Sequence, residues 1–183
     1  MEFPNEILMA PPETSADWSR EQTVAKLNEF IQGISFAMLT TIRADRSLHS
    51  RPMVAQSLDF DGTLWFFTRD GQAKTDELLR DPQVCVSFID QATSRYAAIC
   101  GKAEIHHDMR RAAELWRPEF STWFPLGLED PQLSLIKVIV TTAEIWGSPG
   151  ASPHRFRDLA RAVFSGHHSE PEQSETIILR DSA

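Results

Sequence analysis

Residues 34–68 run ISFAMLTTIR (34–43), ADR (44–46), SLHSRPMVAQSL (47–58), DFDG (59–62) and TLWFFT (63–68). The three longer pieces are rich in β-branched and aromatic residues and the two short ones in turn-formers, the pattern of strands joined by tight connections. Asp61-Gly62 is a hairpin signal in its own right. Three more extended runs follow: 83–89 (QVCVSFI), 95–106 (RYAAICGKAEIH) and 133–146 (LSLIKVIVTTAEIW). Sequential hairpins predict an antiparallel meander. Six strands of this size with few helices predict a mainly β fold with peripheral helices, closed or partly closed into a barrel.

Helices flank and interrupt this pattern. Ser19 with Gln22 forms a capping box, Val24, Leu27, Phe30 and Ile31 share one face, and Gly33 stands where a helix would end, so a helix is predicted over 19–32. A short helix is predicted over 72–80 (QAKTDELLR), stopped before Pro82, and another from Asp108 as N-cap to Trp116. Residues 1–17, with Pro4, Pro11 and Pro12, read as a lead-in arm. Beyond Trp146, the glycines and prolines of 147–153 punctuate the chain. A helix is expected over 153–165, followed by a mostly polar, acidic tail that is disordered or forms a strand only against a partner. The division is an arm at 1–17, a barrel domain at 18–147, and a C-terminal helix and tail at 148–183.

The chain has 183 residues, with 18 Lys and Arg against 26 Asp and Glu, a net charge of −8. That balance repels phosphate backbones and acidic membrane surfaces at long range, and the sequence carries no basic patch to oppose it, so neither nucleic acid nor membrane is an expected partner. Two cysteines are too few for a disulfide framework or a zinc site and suit a reducing compartment. The N-terminus lacks a basic stretch followed by an apolar one, and the expected location is the cytoplasm.

Residues 50–74 carry the chemistry. Alternation puts Arg51 and Met53 on one strand face and Pro52 and Val54 on the other, and Pro52 removes a ladder hydrogen bond, which marks an edge or a bulge. Residues 63–68 end in Thr68, and Arg69-Asp70-Gly71-Gln72-Ala73-Lys74 leads into the short helix. A hydroxyl at a strand end, a glycine turn, first-turn amides, Lys74 and a strand-borne Arg51 together suit a phosphate monoester. Taken singly, each residue has a plainer reading: Arg51 paired with Asp59 or Asp61, Lys74 paired with Asp76 or Glu77, Phe66 and Phe67 in the core.

The combination resembles the general stress protein branch of the pyridoxamine 5′-phosphate oxidase-like, FMN-binding split-barrel family. The resemblance is carried by Arg51-Pro52-Met53, Leu64-Trp65-Phe66-Phe67-Thr68, Lys74-Thr75-Asp76-Glu77-Leu78, Asp81-Pro82-Gln83-Val84 and Gly101-Lys102-Ala103-Glu104. It continues through Glu114-Leu115-Trp116, Trp123-Phe124-Pro125-Leu126-Gly127, Asp130-Pro131 and Ala143-Glu144-Ile145-Trp146, about two-thirds of the chain in the family's order. It implies a six-stranded antiparallel split β-barrel that forms a homodimer and binds FMN at the interface. Arg51 and Lys74 would then hold the phosphate. Pro52, Met53, Phe66, Phe67 and Thr68 would line the phosphate, ribityl chain and ring. Trp123 and Phe124 would close over the flavin from the partner subunit, with Trp116 nearby.

The chain departs from the family's pattern in three places. Gln72 stands where a serine often precedes the phosphate-binding lysine by two residues. Gly147 follows the last-strand tryptophan, where the family commonly has Asp. His154-Arg155-Phe156-Arg157 only faintly echoes the family's substrate-gripping end. No catalytic acid or base is assigned, and no metal site: His106-His107 and His167-His168 read as a strand end and a solvated tail. Cys85 and Cys100 read as inert core thiols, and Glu129-Asp130 as loop. Functionally the resemblance implies an FMN-dependent oxidoreductase of a small substrate. The alternatives are a flavin-binding, sensing or storage protein without turnover, and the same barrel holding haem, a deazaflavin or another planar ligand.

Overall fold

The computed structural model describes residues 13–14, 19–56, 60–147 and 174–179. The capping box starts α1 (Arg20–Ile31): Ser19 Oγ accepts from the Gln22 amide at 3.2 Å, and Gln22 Oε1 accepts from the Ser19 amide at 2.8 Å. Such a cap contributes about 1 kcal/mol. Gly33, at φ +81°, turns the chain out of the helix. Thr23, Leu27 and Phe30 form the buried face. Arg95 then supplies donors to the open carbonyls of the last turn, bonding Glu29 O at 2.7 Å and Gln32 O at 3.3 Å.

Among the described residues, eight strands form one sheet: β1 (Glu13–Thr14), β2 (Phe36–Ile42), β3 (Leu48–Val54), β4 (Thr63–Arg69), β5 (Gln83–Asp90), β6 (Arg95–His106), β7 (Leu133–Trp146) and β8 (Ser174–Ile178). Two further helices, α2 (Ala73–Arg80) and α3 (Met109–Leu115), stand outside it. The order is β1-β8-β7-β6-β5-β2-β3, with β4 on β7. All pairings are antiparallel except β1 with β8. The protein is thus mainly β, with antiparallel pairing dominant and few helices.

All six predicted strands are present near their predicted bounds, but not as a simple meander. β3 is an edge, as Pro52 requires, and the Asp61-Gly62 turn does not close a β3–β4 hairpin. β4 pairs instead with β7, Phe66 opposite Ile136 and Leu64 opposite Val138. The reason lies in its two faces. Leu64 and Phe66 belong to the main core with Leu39, Val86, Phe88, Ile99 and Val138, while Trp65 and Phe67 pack on a second cluster of Leu115, Phe120, Phe124 and Leu135. A strand apolar on both faces belongs in the interior, so β4 lies between two cores rather than at a solvated hairpin.

The tail also differs from expectation. Ser174–Ile178 forms a strand on this chain's own β7, Thr142 opposite Ile178, and Ile177 is fully buried in the main core. Glu13–Thr14, within the expected arm, pairs with it. The helix expected over 153–165 lies outside the described residues.

β7 and β6 slip register between Cys100 and Gly101. A Cβ on Gly101 would sit 2.2 Å from the Ile139 carbonyl oxygen, inside the contact limit and against backbone that cannot swing away. Gly101→Ala is therefore expected to cost about 1–3 kcal/mol, as overpacking does. Thermal unfolding measures it, and an unchanged midpoint would mean that the β6–β7 ladder yields freely at the bulge.

Candidate functional site

α2 begins two residues after Gly71, which takes φ +70° to turn the chain from β4. The turn is pinned from β7: the Asp70 amide donates to Gln132 O at 2.9 Å, and Ser134 Oγ donates to Asp70 Oδ1 at 2.6 Å. His107 Nε2 lies 2.6 Å from Asp70 Oδ2. The Ser134 hydroxyl first, and His107 after it, outweigh the effect of burial and hold the Asp70 carboxyl below its ordinary value. Gln72, at the N-cap of α2, makes no side-chain cap; its carbonyl takes the Thr75 amide at 2.9 Å and the Asp76 amide at 3.3 Å, which leaves the Ala73 and Lys74 amides for another acceptor among the described residues. Lys74 stands on that first turn, its Nζ donating to Gln72 Oε1.

Arg51 reaches the same helix from β3. Its Nη2 donates to Glu77 Oε2 at 2.5 Å, and its Nη1 to Thr41 Oγ1 at 2.6 Å. Thr41 Oγ1 in turn donates to Glu77 Oε2 at 2.5 Å. His49 Nδ1 lies 3.0 Å from Glu77 Oε1 and 2.8 Å from Arg51 Nη2, and it serves the first as a donor or the second as an acceptor, according to its tautomer. Glu77 is 6% exposed. Burial pushes its carboxyl up, but the hydrogen bonds from Thr41, His49 and Arg51 and the Arg51 charge outweigh burial and hold it at about 2.

This knot fixes the Arg51 guanidinium while leaving its Nε–H without a partner among the described residues. Lys74 is near enough that burial first, and the charge of Arg51 second, push its amine below the ordinary lysine value. Arg51 and Lys74 thus converge at the start of α2, and Glu77, which pairs with Arg51 and lies 3.8 Å from Arg43 Nε, makes no ion pair with Lys74 among the described residues. An anion with several acceptor oxygens is what such a locus can hold.

The structure brings together Arg51 and Lys74, with Thr68 buried at the end of β4. It disperses the other expected residues. Met53 and Phe66 are buried in the main core, and Pro52 is exposed on the edge strand. Phe67 packs in the second cluster, 4.7 Å from Phe120 and 5.7 Å from Trp116 between ring centroids. Phe124 is 3% exposed in that cluster and Trp116 is half-buried, so of the aromatics expected to close over a flavin only Trp123, 52% exposed, is open. Among the described residues, Arg51 takes Glu77 rather than Asp61 and Lys74 takes Gln72 rather than Asp76 or Glu77, while Asp59 lies outside the described residues.

Sequence reasoning passed over Thr41, His49 and Glu77 around Arg51, and it passed over Arg69. His49 lies two residues before Arg51 on the same strand face, and Glu77 one helical turn after Lys74, so both spacings were legible although their convergence was not. Arg69 ties the aromatic segment to β4. Its Nε donates to Trp123 O at 3.0 Å, its Nη1 to Gln132 Oε1 at 2.8 Å, and its guanidinium lies 5.2 Å from the Phe124 ring centroid. Asp130, read as loop, is its ion-pair partner at 3.2 Å. Gly147 has φ +90°, and a Cβ there would meet Ser94 O at 1.9 Å, so the aspartate common at this point in the family has no room in this chain.

A cavity of about 50 Å³ lies at the opposite end of β4, among Asn28, Phe60, Trp65 and Arg111. Pockets that enclose a cofactor measure roughly 300–1,000 Å³, so this cavity holds at most a few small molecules.

Residues 22–170 match the family model described as "Pyridoxamine 5'-phosphate oxidase like". Protein bli-3 of Neurospora crassa is 28% identical over 156 residues, covering 80% of this chain and 75% of that protein. Among solved structures, general stress protein 26 of Bacillus anthracis superposes with a TM-score of 0.60 at 28% identity, over 67% of this chain and 92% of that one. The general stress FMN/FAD binding protein of Xanthomonas citri gives 0.61 at 27%, over 73% and 92%. With the strand pattern, the turn into α2 and a match over most of its length, the chain belongs to the pyridoxamine 5′-phosphate oxidase-like family.

Proposed function

We propose that this protein is an FMN-binding flavoprotein of the stress-protein type, an oxidoreductase acting on a small molecule, with the flavin held between two copies of the chain in a split-barrel dimer. The observation that carries the reading is the convergence of Arg51 and Lys74 at the start of α2, where Lys74 has no carboxylate partner among the described residues. The Xanthomonas citri relative described as FMN/FAD binding supports a flavin. The convergence of cations favours the mononucleotide, whose terminal phosphate monoester offers more charge and acceptor oxygens than an internal diphosphate linkage.

Exposed apolar surface supports the dimer. Phe36 at 62% and Met38 at 37% exposure lie on the outer face of β2 beside exposed Pro52, and Trp123 and Leu126 are exposed at the aromatic segment. Such surface calls for a partner.

The bound flavin would supply the redox chemistry, and this chain's residues bind, orient and screen it. Lys74, the Ala73 and Lys74 amides and the Nε–H of Arg51 would hold the phosphate. Glu77 keeps the guanidinium in place before the ligand arrives, and Thr68 closes the end of β4. Trp123, on a segment that Arg69 anchors, stands ready to cover a ring bound by a second copy.

Purified protein should be yellow and release FMN on denaturation, and it should elute as a dimer at micromolar concentration. A colourless protein that also fails to take up added FMN would overturn the flavin reading. Reduction of the bound flavin by NADH or NADPH supports the oxidoreductase. Failure of both, with no reoxidation by oxygen after dithionite, would leave a flavin binder.

A further inference from the structure

The two cysteines lie far apart in the reading of the sequence but opposite one another in the sheet. Cys85 on β5 and Cys100 on β6 are register partners. The phase of that ladder is set by the bond from the Ala103 amide to Pro82 O at 2.8 Å. Hydrogen-bonded and non-hydrogen-bonded pairs alternate along an antiparallel ladder, so Pro82/Ala103 is bonded and Cys85/Cys100, three rows on, is not. In a non-hydrogen-bonded pair the Cα atoms stand about 4.5 Å apart with side chains on one face, within the span a disulfide bridges.

The pair faces outward. Cys85 is half-buried and Cys100 exposed, both reduced. Burial of its sulfur first, then the charge of the adjacent Cys85 sulfur and the hydrogen bond with it, and then Glu144, push the Cys100 thiol up to about 11. The two sulfurs are neighbours on the outer face, so attack on a peroxide by either one ends in the same cross-strand bond. These are not the inert core thiols that their apolar neighbours in sequence imply.

We propose that Cys85 and Cys100 are a reversible two-electron redox site, which a hydroperoxide converts into a cross-strand disulfide. When the Cys85 sulfur attacks, it takes the terminal peroxide oxygen as the O–O bond breaks, forming a sulfenic acid and releasing the alcohol, or water from hydrogen peroxide. The Cys100 sulfur then displaces the hydroxyl from Cys85, and its proton leaves with that hydroxyl as water. Two thiols lose two electrons and two protons, and the peroxide takes up both. The backbone need not move, because the ladder already holds the sulfurs side by side.

The test uses full-length protein, first reduced and then treated with hydrogen peroxide, which is small enough to reach the pair even under a second copy of the chain. Free thiols should fall from two per chain to none with the circular dichroism unchanged. Trypsin digestion without reductant should release peptide 81–95, with Cys85, joined to peptide 96–102, with Cys100, and dithiothreitol should restore both thiols. Cys100→Ser should abolish the link and leave a sulfenic acid on Cys85 that a cyclic dione traps. Two persisting thiols, or oxidised cysteines on peptides that are never joined, would overturn the proposal.

Discussion

Glu77→Ala is expected to lower the unfolding free energy by about 3–5 kcal/mol, the usual cost of stranding one member of a buried ion pair, and to lower the melting temperature by roughly 10 °C for a chain of this size. The loss has three sources: the Arg51 guanidinium loses its countercharge, Thr41 loses its acceptor, and His49 loses a neighbour. The effect depends on pH in a definite direction. A carboxyl at about 2, against an ordinary 4.5, binds its proton less readily in the folded than in the unfolded chain. Its contribution, about 3 kcal/mol by linkage, is fully present above pH 4.5 and is lost as pH falls toward 2. Thermal melts between pH 7 and pH 2 check this: wild type and Glu77→Ala should converge at the acid end. Parallel curves would mean that the carboxyl is not the titrating group. The paired replacement Arg51→Met with Glu77→Leu should recover much of the loss at neutral pH, since apolar side chains substitute well for a buried pair.

Lys74→Ala should weaken FMN about tenfold to a hundredfold, since a hydrogen bond to a charged group contributes about 1.5–3 kcal/mol, and should leave riboflavin, which has no phosphate, nearly unaffected. Lys74 is the cleaner probe. Among the described residues its amine makes one hydrogen bond, to Gln72, so its removal strands no buried charge there. Arg51→Ala should weaken FMN as well, but it also leaves the Glu77 carboxylate buried beside the site, so part of its effect will appear as lost stability and as repulsion of any phosphate. Titration by flavin fluorescence quenching, with both ligands and both variants, separates these contributions. Equal losses for FMN and riboflavin in Lys74→Ala would remove the phosphate from this end of α2.

Most of the local structure was legible because its causes are local. Ser19 and Gln22 cap α1 through bonds three residues apart, Asp108 caps α3 through the Arg111 amide, and Pro52 marks an edge by what it cannot donate. The neighbours were not legible. Alternation along TLWFFT states that β4 is apolar on both sides, but not that β7 lies beside it, because a strand's period carries no information about its partner. The same limit hid the site's supports. Arg51 and Lys74 could be suspected from the turn and helix start between them, whereas Glu77 entered only as a plain surface partner for Lys74. That it binds Arg51 instead depends on how β2, β3 and α2 meet. The cysteines repeat the lesson, since only the pairing of β5 with β6 makes them neighbours.

β7 carries more than its share of the sheet, with β4 and β6 along its first half and β6 and β8 along its second. During synthesis this imposes an order of events. Once residues up to Trp146 have left the ribosome, β2 to β7 can assemble, but the stretch from Thr142 to Trp146 still shows a bare row of amides and carbonyls on one side until residues 174–178 emerge. An open row of that kind is a template for pairing with another nascent chain. Late arrival of β8 therefore acts as a seal: Ile177 and Leu179 fill the last of the core while the strand itself covers the row. Nascent chains released early by a stop codon between 147 and 174 would leave that row open, so they should aggregate rather than accumulate as a smaller soluble barrel.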